Sequence, residues 1–218
     1  WSKIKKFSNS IFSLIDKTYS QNSDTNFYLK KLNVKNIKFI GNLKFIEDDE
    51  LITNQADKQL FSQFKKYKTF IAASTHEPEE LFAAKTHILL KKKNKNIITI
   101  IIPRHINRVE QIISQISELG LKVVSRSSNK KRLENIDIFI VDTFGESKKF
   151  YKFATTVFLG KSITKGGGQN PLEPARFGAK ILHGPNVDNF KDVYKYLNKL
   201  KISSKVNSPH KCANSIIF

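Results

Sequence analysis

Short apolar runs alternate with amphipathic segments along most of the chain. The run from Ile97 to Ile102 is interrupted by Thr99 alone, which is typical of a strand buried on both faces. Further strands are predicted at residues 69–73, 122–125, 137–141, 155–159 and 180–183, and helices at 57–67, 78–92, 107–119, 147–153, 171–177 and 189–200. This alternation predicts an α/β fold in which helices cover both faces of a doubly wound, Rossmann-like parallel sheet.

The beginning of the chain has a different pattern. Ile4, Phe7 and Ile11 recur at helical spacing with lysines on the opposite side, which predicts a basic amphipathic helix from residue 1 to about residue 19. Such a helix can lie on an anionic membrane, although packing against a neighbouring domain is its commoner use.

A domain boundary is predicted after this region. A second helix at residues 24–32 and a strand at 35–40 precede the aperiodic acidic stretch at 47–50, which is typical of a linker or an exposed loop. We therefore divide the chain into residues 1–46, the end of one domain with its linker, and residues 47–218, the Rossmann-like domain.

The net positive charge of the chain raises the question of whether it has an acidic partner. The 218 residues include 38 Lys and Arg against 19 Asp and Glu, a formal net charge of +19 that favours nucleic acid, a phosphorylated substrate or an anionic membrane surface. The basic residues are spread throughout a chain that is also rich in Asn, Ile and Phe, so codon drift explains the charge equally well. Because the aromatic residues are not interleaved with the basic ones, we expect no nucleic-acid partner and keep a basic nucleic-acid-binding module only as an alternative.

The cysteine and methionine content limits the kinds of fold and metal site that the chain can have. Cys212 is the one cysteine, which excludes an internal disulfide framework and a CxxC metal pair. No apolar run reaches the roughly 18 residues that span a bilayer. Since the chain begins with Trp1 and contains no methionine, we expect it to lack its natural start.

Polar residues follow the predicted strands at the edge where parallel sheets bind ligands. Pro103 breaks one strand, and the guanidinium of Arg104 after it can pair with a phosphate or a carboxylate, or be a solvated charge. Ser74, Thr75 and His76 follow another strand, where a hydroxyl or the imidazole can approach a phosphate; the alternative is that a hydroxyl caps the next helix.

A third strand end combines an aromatic ring, a glycine and a carboxylate. Phe144, Gly145 and Glu146 lie at a turn into a helix. The glycine lets backbone groups meet the edge of a base, and Phe144 can pack beside it. Helix capping by Asp142 or Thr143 explains part of the same pattern.

The glycine-rich stretch at residues 166–175 is the strongest candidate for phosphate binding. Three glycines precede Asn170, which suits a helix N-cap, and Pro171, which suits the first helical position. The amides from Asn170 to Leu172 would then face an anion, and Glu173 can accept hydrogen bonds from ribose hydroxyls. The alternative is a well-capped helix after a flexible loop.

These motifs, taken together and in order, resemble the 3-deoxy-D-manno-octulosonic acid (Kdo) transferase family of lipopolysaccharide synthesis. The segments that carry the resemblance are residues 72–77 (AASTHE), 102–105 (IPRH), 142–146 (DTFGE) and 167–175 (GGQNPLEPA), with 41–45 (GNLKF) similar to the family's interdomain segment. The likeness extends from about residue 1 to about residue 195.

The resemblance implies a two-domain GT-B glycosyltransferase of which this chain is the C-terminal donor domain with the tail of the acceptor domain. It implies transfer of Kdo from CMP-Kdo to the lipid A precursor, lipid IVA, at the cytoplasmic face of the bacterial inner membrane, with an anionic membrane surface as a further partner. The family's catalytic base is a glutamate of the N-terminal domain, so we nominate no catalytic residue, no metal and no cofactor beyond the donor substrate. We expect the part present here to be inactive by itself.

The resemblance also assigns a CMP pocket. Its residues are Pro103, Arg104, Phe144, Gly145, Glu146, Asn170, Pro171, Leu172 and Glu173. The family usually has His where Gln169 stands, often Met where Phe144 stands and Pro where Ile106 stands, and the tail from about Ile202 lacks the family's final helix pattern. A glycosyltransferase that uses another nucleotide sugar is the alternative within the same fold.

Overall fold

The computed structural model describes residues 4–40, 55–128 and 133–216, with the backbone alone at Lys5, Gln55 and Ala56. The chain divides into two compact units, residues 1–50 and 51–218. The predicted boundary after residue 46, the segment 41–45 and the acidic stretch 47–50 lie outside the described residues, so the predicted boundary remains a prediction.

Within residues 4–40, the described part of the first unit, the chain forms two helices and two strands. The helices are α1, Lys5–Phe12, and α2, Ser23–Lys31, and the strands β1, Thr18–Ser20, and β2, Ile37–Phe39, pair in parallel. The predicted helix at residues 1–19 is too long, because the backbone turns after Phe12 and enters β1, which the sequence did not reveal. The Asn22 side chain accepts a hydrogen bond from the Thr25 amide at 2.7 Å and begins α2.

The second unit is built on seven parallel strands. They are β3, Lys68–Thr75; β4, Ile97–Pro103; β5, Val123–Ser125; β6, Ile138–Ile140; β7, Thr156–Leu159; β8, Lys180–His183; and β9, Ser203–Lys205. Their order in the sheet is β5-β6-β4-β3-β7-β8-β9. From β3 the chain forms β4 beside it, then the edge strand β5, and then β6 between β4 and β5. It resumes on the other side of β3 at β7, so the topological switch point lies between β3 and β7.

The helices of this unit alternate with the strands, and all but the last were predicted. They are α3, Gln55–Phe64; α4, Glu79–Lys93; α5, Val109–Ser117; α6, Ser147–Tyr151; α7, Leu172–Arg176; α8, Lys191–Lys199; and α9, Pro209–Ser215. Short 3-10 turns at Ile106–Arg108 and Asp188–Phe190 precede α5 and α8 where longer helices were predicted.

Alternate residues of the strands pack into cores on opposite faces of the sheet. Ile71 and Ala73 of β3 pack with the apolar residues of α3 and α6, whereas Phe70 and Ala72 pack with those of α4, α5 and α9. The central strands are therefore buried on both faces, and the predicted doubly wound parallel sheet is confirmed.

The end of the chain departs from the prediction. The tail after Ile202, which lacks the final helix pattern of the family that the sequence resembles and for which no element was predicted, forms β9 at the edge of the sheet and then α9. The Ser208 hydroxyl accepts a hydrogen bond from the Lys211 amide at the start of α9, and Cys212 and Ala213 are buried against the sheet. With two adjacent buried residues, this helix has no apolar periodicity to detect. None of the helices in the three described ranges is long and apolar enough to cross a membrane.

Candidate functional site at the carboxyl edge of the sheet

The ends of β3 and β7 approach each other closely at the switch point. An ideal Cβ built on Gly160, just after β7, would lie 2.6 Å from Thr75 Cα, so only glycine fits there. Ser74 and Lys161 on the two strand ends adopt left-handed backbone conformations, with φ of 54° and 55°. Non-glycine residues in this region are uncommon and cluster at functional sites. The switch point is therefore the first place to look for a ligand site.

A buried carboxylate joins these two strand ends. Glu79, the first residue of α4, is 0% exposed. Its Oε2 accepts hydrogen bonds from the amides of His76 at 3.0 Å and Lys161 at 2.7 Å, and its Oε1 accepts from Ser162 and Ile163, both at 2.9 Å. Sequence reasoning missed this role, because the acidic segment before α4 is also what the positive end of a helix dipole favours.

The glycine loop after β7 is held from its outer side by the segment after β8. Asn186 donates to the carbonyls of Ser162 and Ile163, and Asn189 donates from its amide and its side chain to those of Gly167 and Gly166. Gly167 and Gly168 have positive φ of 81° and 75°, which glycine adopts without strain. The loop is thus fixed on both sides by hydrogen bonds to its backbone.

The start of α7 differs slightly from the prediction. The helix begins at Leu172 with Pro171 in the cap position, and the Leu172 amide donates to Asn170 Oδ1 at 3.1 Å. Because proline has no N–H and the Leu172 amide has this partner, the run from Asn170 to Leu172 offers an anion fewer donors than predicted. Glu173 accepts a hydrogen bond from the buried hydroxyl of Tyr151 in α6, and burial first and this carboxylate second raise the pKa of the tyrosine.

Pro103 and Arg104 end β4 beside the switch point. Pro103 is buried and pairs in register with Thr75, whose carbonyl accepts the Arg104 amide at 3.0 Å. The Arg104 side chain is exposed, and within residues 4–40, 55–128 and 133–216 its guanidinium has no ion-pair partner. His105 lies against His76 with ring centroids 5.3 Å apart, and burial is the main cause that lowers the pKa of His76. The end of β4 thus presents a fixed backbone and a free cation.

The turn after β6 presents Phe144 and Gly145 to solvent. Phe144 is 80% exposed, and Gly145 has a φ of 76° with open space where a Cβ would stand. A solvated ring on a turn that requires glycine can stack against a planar ligand at little cost in stability.

Glu146 begins α6 inside a cluster of charges that the sequence did not reveal. Its carboxylate accepts from Thr143, from Arg126 Nε at 3.2 Å and from Lys149 Nζ at 3.0 Å. Asp57 of α3 binds the same two cations. Although burial acts to raise its pKa, the hydrogen bonds from Thr143, Arg126 and Lys149 lower the pKa of Glu146 to about 2. Glu146 is therefore ionised and anchored, which suits a hydrogen-bond acceptor and not a proton carrier.

The helix-capping alternatives are not what the structure shows. Neither α4 nor α6 has a side-chain capping hydrogen bond. Asp142 instead accepts from the amide of Ser127 at 2.8 Å and from its hydroxyl. The polar residues that follow β3 and β6 therefore do not cap the helices α4 and α6.

Because β6, β4, β3 and β7 are parallel, the end of β4 and the segments that follow β4, β6 and β7, which carry the nine residues assigned to the pocket, lie at the same edge of the sheet. The Tyr151 to Glu173 hydrogen bond joins α6, which follows the Phe144 turn, to α7, which follows the glycine loop. Among the described residues, no group of three or more His, Cys, Asp or Glu side chains is placed to hold a metal ion. The edge therefore combines the exposed Arg104, the exposed ring of Phe144, the anchored carboxylates of Glu146 and Glu173, and a rigid glycine loop.

No protein-family model matches the sequence, but curated proteins are similar to it. The 3-deoxy-D-manno-octulosonic acid transferase of Haemophilus influenzae is 30% identical over 182 residues, which are 82% of this chain and 41% of that protein. The enzyme of the same name from Rickettsia bellii is 29% identical over 100% of this chain and 52% of its own length, and that from Rickettsia felis is 31% identical over 89% and 42%.

The fold also has a counterpart among solved structures. The C-terminal CMP-Kdo binding domain of WaaA from Acinetobacter baumannii matches with a TM-score of 0.68 and 22% identity, covering 73% of this chain and 84% of that domain. The seven-stranded parallel sheet described here is thus the fold of that domain. The chain is therefore a homologue of curated Kdo transferases, and it spans about half the length of those that it matches.

Proposed function

We propose that the unit of residues 51–218 binds CMP-Kdo and that the protein acts as a glycosyltransferase that moves Kdo to the lipid A precursor. The observation that carries the proposal is the likeness to Kdo transferases along 82% to 100% of the chain, and the match that spans 100% of the chain includes the nine residues assigned to the pocket. The name of the solved WaaA domain supports CMP-Kdo as the donor.

The phosphate of the donor is assigned to Arg104. Its guanidinium is exposed at the switch-point edge and has no ion-pair partner in the described residues. A planar guanidinium can bind a phosphate with two parallel hydrogen bonds and stabilise the charge that develops as CMP departs. The buried Pro103 fixes the backbone that carries it.

The nucleoside is assigned to the two flanking groups. Phe144 and the open backbone of Gly145 suit the base. Glu146 holds the turn that carries them, since its carboxylate already accepts four hydrogen bonds, from Thr143, Arg126 and Lys149. Glu173, whose carboxylate accepts from the Tyr151 hydroxyl, is assigned to the ribose. Asn170, Pro171 and Leu172 shape the wall that leads to it.

The proposal extends to the acceptor site, the catalytic base and the place in the cell where the protein works. We propose that the base and the lipid acceptor site lie outside residues 51–218, that no cofactor is needed, and that the protein works at the cytoplasmic face of the inner membrane. Ile4, Phe7 and Leu14 near α1 are exposed apolar side chains, which is compatible with contact with a membrane or with another part of the protein.

Calorimetric titration of the chain with CMP, and with UMP and AMP as controls, tests the proposal. We expect CMP to bind with the highest affinity, since the solved domain that shares this fold is named as a CMP-Kdo binding domain. Arg104→Ala should weaken CMP binding, whereas Arg176→Ala, an exposed arginine at the end of α7, should not. A folded chain that binds UMP or AMP as well as CMP would contradict the assignment.

A further inference from the structure

The buried carboxylate of Glu79 occupies a position suited to a bound anion. Three consecutive amides, those of Lys161, Ser162 and Ile163, point at it from the loop after β7, and a fourth comes from His76 after β3. Successive backbone N–H groups that converge in this way form a nest of the kind that binds phosphates. We call these four amides the switch-point nest.

Glu79 saturates the switch-point nest. A carboxylate offers about four lone-pair sites, and here each of its oxygens accepts two hydrogen bonds, at distances between 2.7 and 3.0 Å. The side chain is fully buried, and no solvent reaches it. Neither the amides nor the carboxylate therefore has capacity left for a ligand.

This occupation matters because ligands of open parallel sheets bind outside the strand ends at the switch point. A nucleotide that carried a second phosphate would bring a further negative charge toward Glu79, while the donors best placed to neutralise it are already in use. Two anions in one desolvated site repel each other strongly. A single phosphate, by contrast, is served by Arg104 at the end of β4.

We propose that Glu79 is a specificity-determining residue that fills the switch-point nest with a protein carboxylate and so selects a nucleoside monophosphate donor over a nucleoside diphosphate donor. This inference rests on the donor-binding function proposed above and assigns a physical cause to one part of it. Glu79 acts through the backbone of Lys161, Ser162 and Ile163 and has no role as an acid or base.

Titration of the parent chain with CMP and with CDP is the first test. We expect CDP to bind at least about tenfold more weakly than CMP, the effect of roughly one unfavourable charge contact. In Glu79→Ala and Glu79→Gln, the ratio of the two dissociation constants should move toward CDP by a similar factor. Equal affinity of the parent for CMP and CDP, or an unchanged ratio in both variants, would overturn the inference.

Glu80 provides a matched control on the same helix. It is 2% exposed and forms an ion pair with Arg108 at 3.2 Å, so Glu80→Ala also removes a buried carboxylate. This variant should lose stability but keep the parent's ratio of CMP to CDP affinity. If Glu80→Ala shifted the ratio as Glu79→Ala does, general loosening of α4 would explain the result and the role of Glu79 would be refuted.

Anion rescue tests the nest without any nucleotide. In Glu79→Ala the four amides lose their acceptor, so sulfate or formate at constant ionic strength should raise its melting temperature more than that of the parent or of Glu80→Ala. This readout separates the inference from the proposed function. If the parent bound no CMP, the donor assignment would fail, whereas rescue would still uphold the nest and its absence would refute it. Should Glu79→Ala not fold, the parent's CMP to CDP ratio and the Glu79→Gln variant still decide.

Discussion

The two edges of the seven-stranded sheet differ in how their polar groups are used. At the amino edge, His87, Thr99 and Asp137 form a closed polar network. At the carboxyl edge, the hydrogen bonds around Glu79 do not include the side chain of Arg104. His87 Nδ1 lies 2.9 Å from Thr99 Oγ1 and its Nε2 lies 3.4 Å from Asp137 Oδ1. Asp137 also accepts from Lys91 and from the Lys122 amide. Within this network, each charged side chain contacts a group of opposite charge or a hydrogen-bond partner.

The carboxyl edge also has buried polar groups, but a charged and an aromatic side chain remain exposed there. Glu79 is as well satisfied as Asp137, yet the cation of Arg104 and the ring of Phe144 beside it point into solvent. The backbone is also less relaxed there, with left-handed conformations at Ser74 and Lys161. A buried polar cluster by itself therefore marks stability, and a candidate ligand site is marked by charged and aromatic groups that the fold positions and leaves open.

The largest effect should come from filling the close approach at the carboxyl edge. In Gly160→Ala the new Cβ would meet backbone atoms of Ser74 and Thr75 and lie 2.7 Å from Glu79 Oε2, none of which can move without displacing a strand. We expect a loss of about 3 kcal/mol in the free energy of unfolding, measured with urea.

Gly166→Ala is the control on the same loop. Its Cβ would meet the flexible side chain of Lys161, which can turn away, so the loss should be well under half as large. Equal losses in the two variants would show that the strand ends at Gly160 adapt more easily than their geometry indicates.

The second effect concerns the amino edge and pH. Burial lowers the pKa of His87 from 6.5 to about 4, and the side chain is 0% exposed. Because the unfolded chain binds a proton at His87 between these values and the folded chain does not, the contribution to stability is present above pH 6.5 and is lost as the pH falls toward 4. The shift sets an upper bound of about 3 kcal/mol on this loss.

Urea unfolding at several pH values between 7 and 4.5 measures this loss. Glu146, whose pKa is about 2, and Asp137, whose pKa is also lowered, remain ionised over this range in the folded chain. His87→Gln should reduce the pH dependence, leaving the part that comes from His76 and His183, whose pKa values burial also lowers. His210→Gln, at an exposed histidine of α9, should keep the pH dependence of the parent. A parent chain whose stability does not change from pH 7 to 4.5 would rule out a buried neutral His87.

The third effect sharpens the comparison at Arg104. We expect Arg104→Ala to weaken CMP binding about tenfold to a hundredfold, the range of a charge-assisted hydrogen bond, with little change in stability because the side chain is solvated. Arg104→Lys should recover part of the affinity, since it restores the charge without the planar fork. Calorimetric titration of the three proteins checks the order, and an Arg104→Ala chain that binds CMP as the parent does would remove Arg104 from the phosphate site.

These contrasts explain which features could be predicted from the sequence. The sheet was predictable because continuous apolar runs such as Ile97 to Ile102 are needed wherever both faces are covered, and their ends locate the edge at which Arg104, Phe144 and Glu173 lie. The nine pocket residues themselves remain predictions, which the titrations above test.

Features that depend on distant contacts could not be predicted. Glu79 meets residues 82 to 84 positions away, and Asp57 meets Arg126 and Lys149 from 69 and 92 positions away, so no local pattern distinguishes them from solvated acids. The helix α9 was missed for a related reason, since its stability comes from burying Cys212 and Ala213 against the sheet and not from its own periodicity.

The smallest effect is expected at Phe144, where the two roles of a side chain separate most cleanly. At 80% exposure the ring contributes little to the folded state, so Phe144→Ala should change the free energy of unfolding by less than about 0.5 kcal/mol. If the ring packs beside the base, the same variant should weaken CMP binding by about 1 kcal/mol, or several-fold, because stacking on an aromatic face is lost. Tyr196→Ala removes another exposed aromatic ring, 61% exposed on α8, and should change neither quantity. Loss of CMP affinity in both variants would trace the effect to general surface properties, whereas loss in Phe144→Ala alone would place the base at the turn after β6.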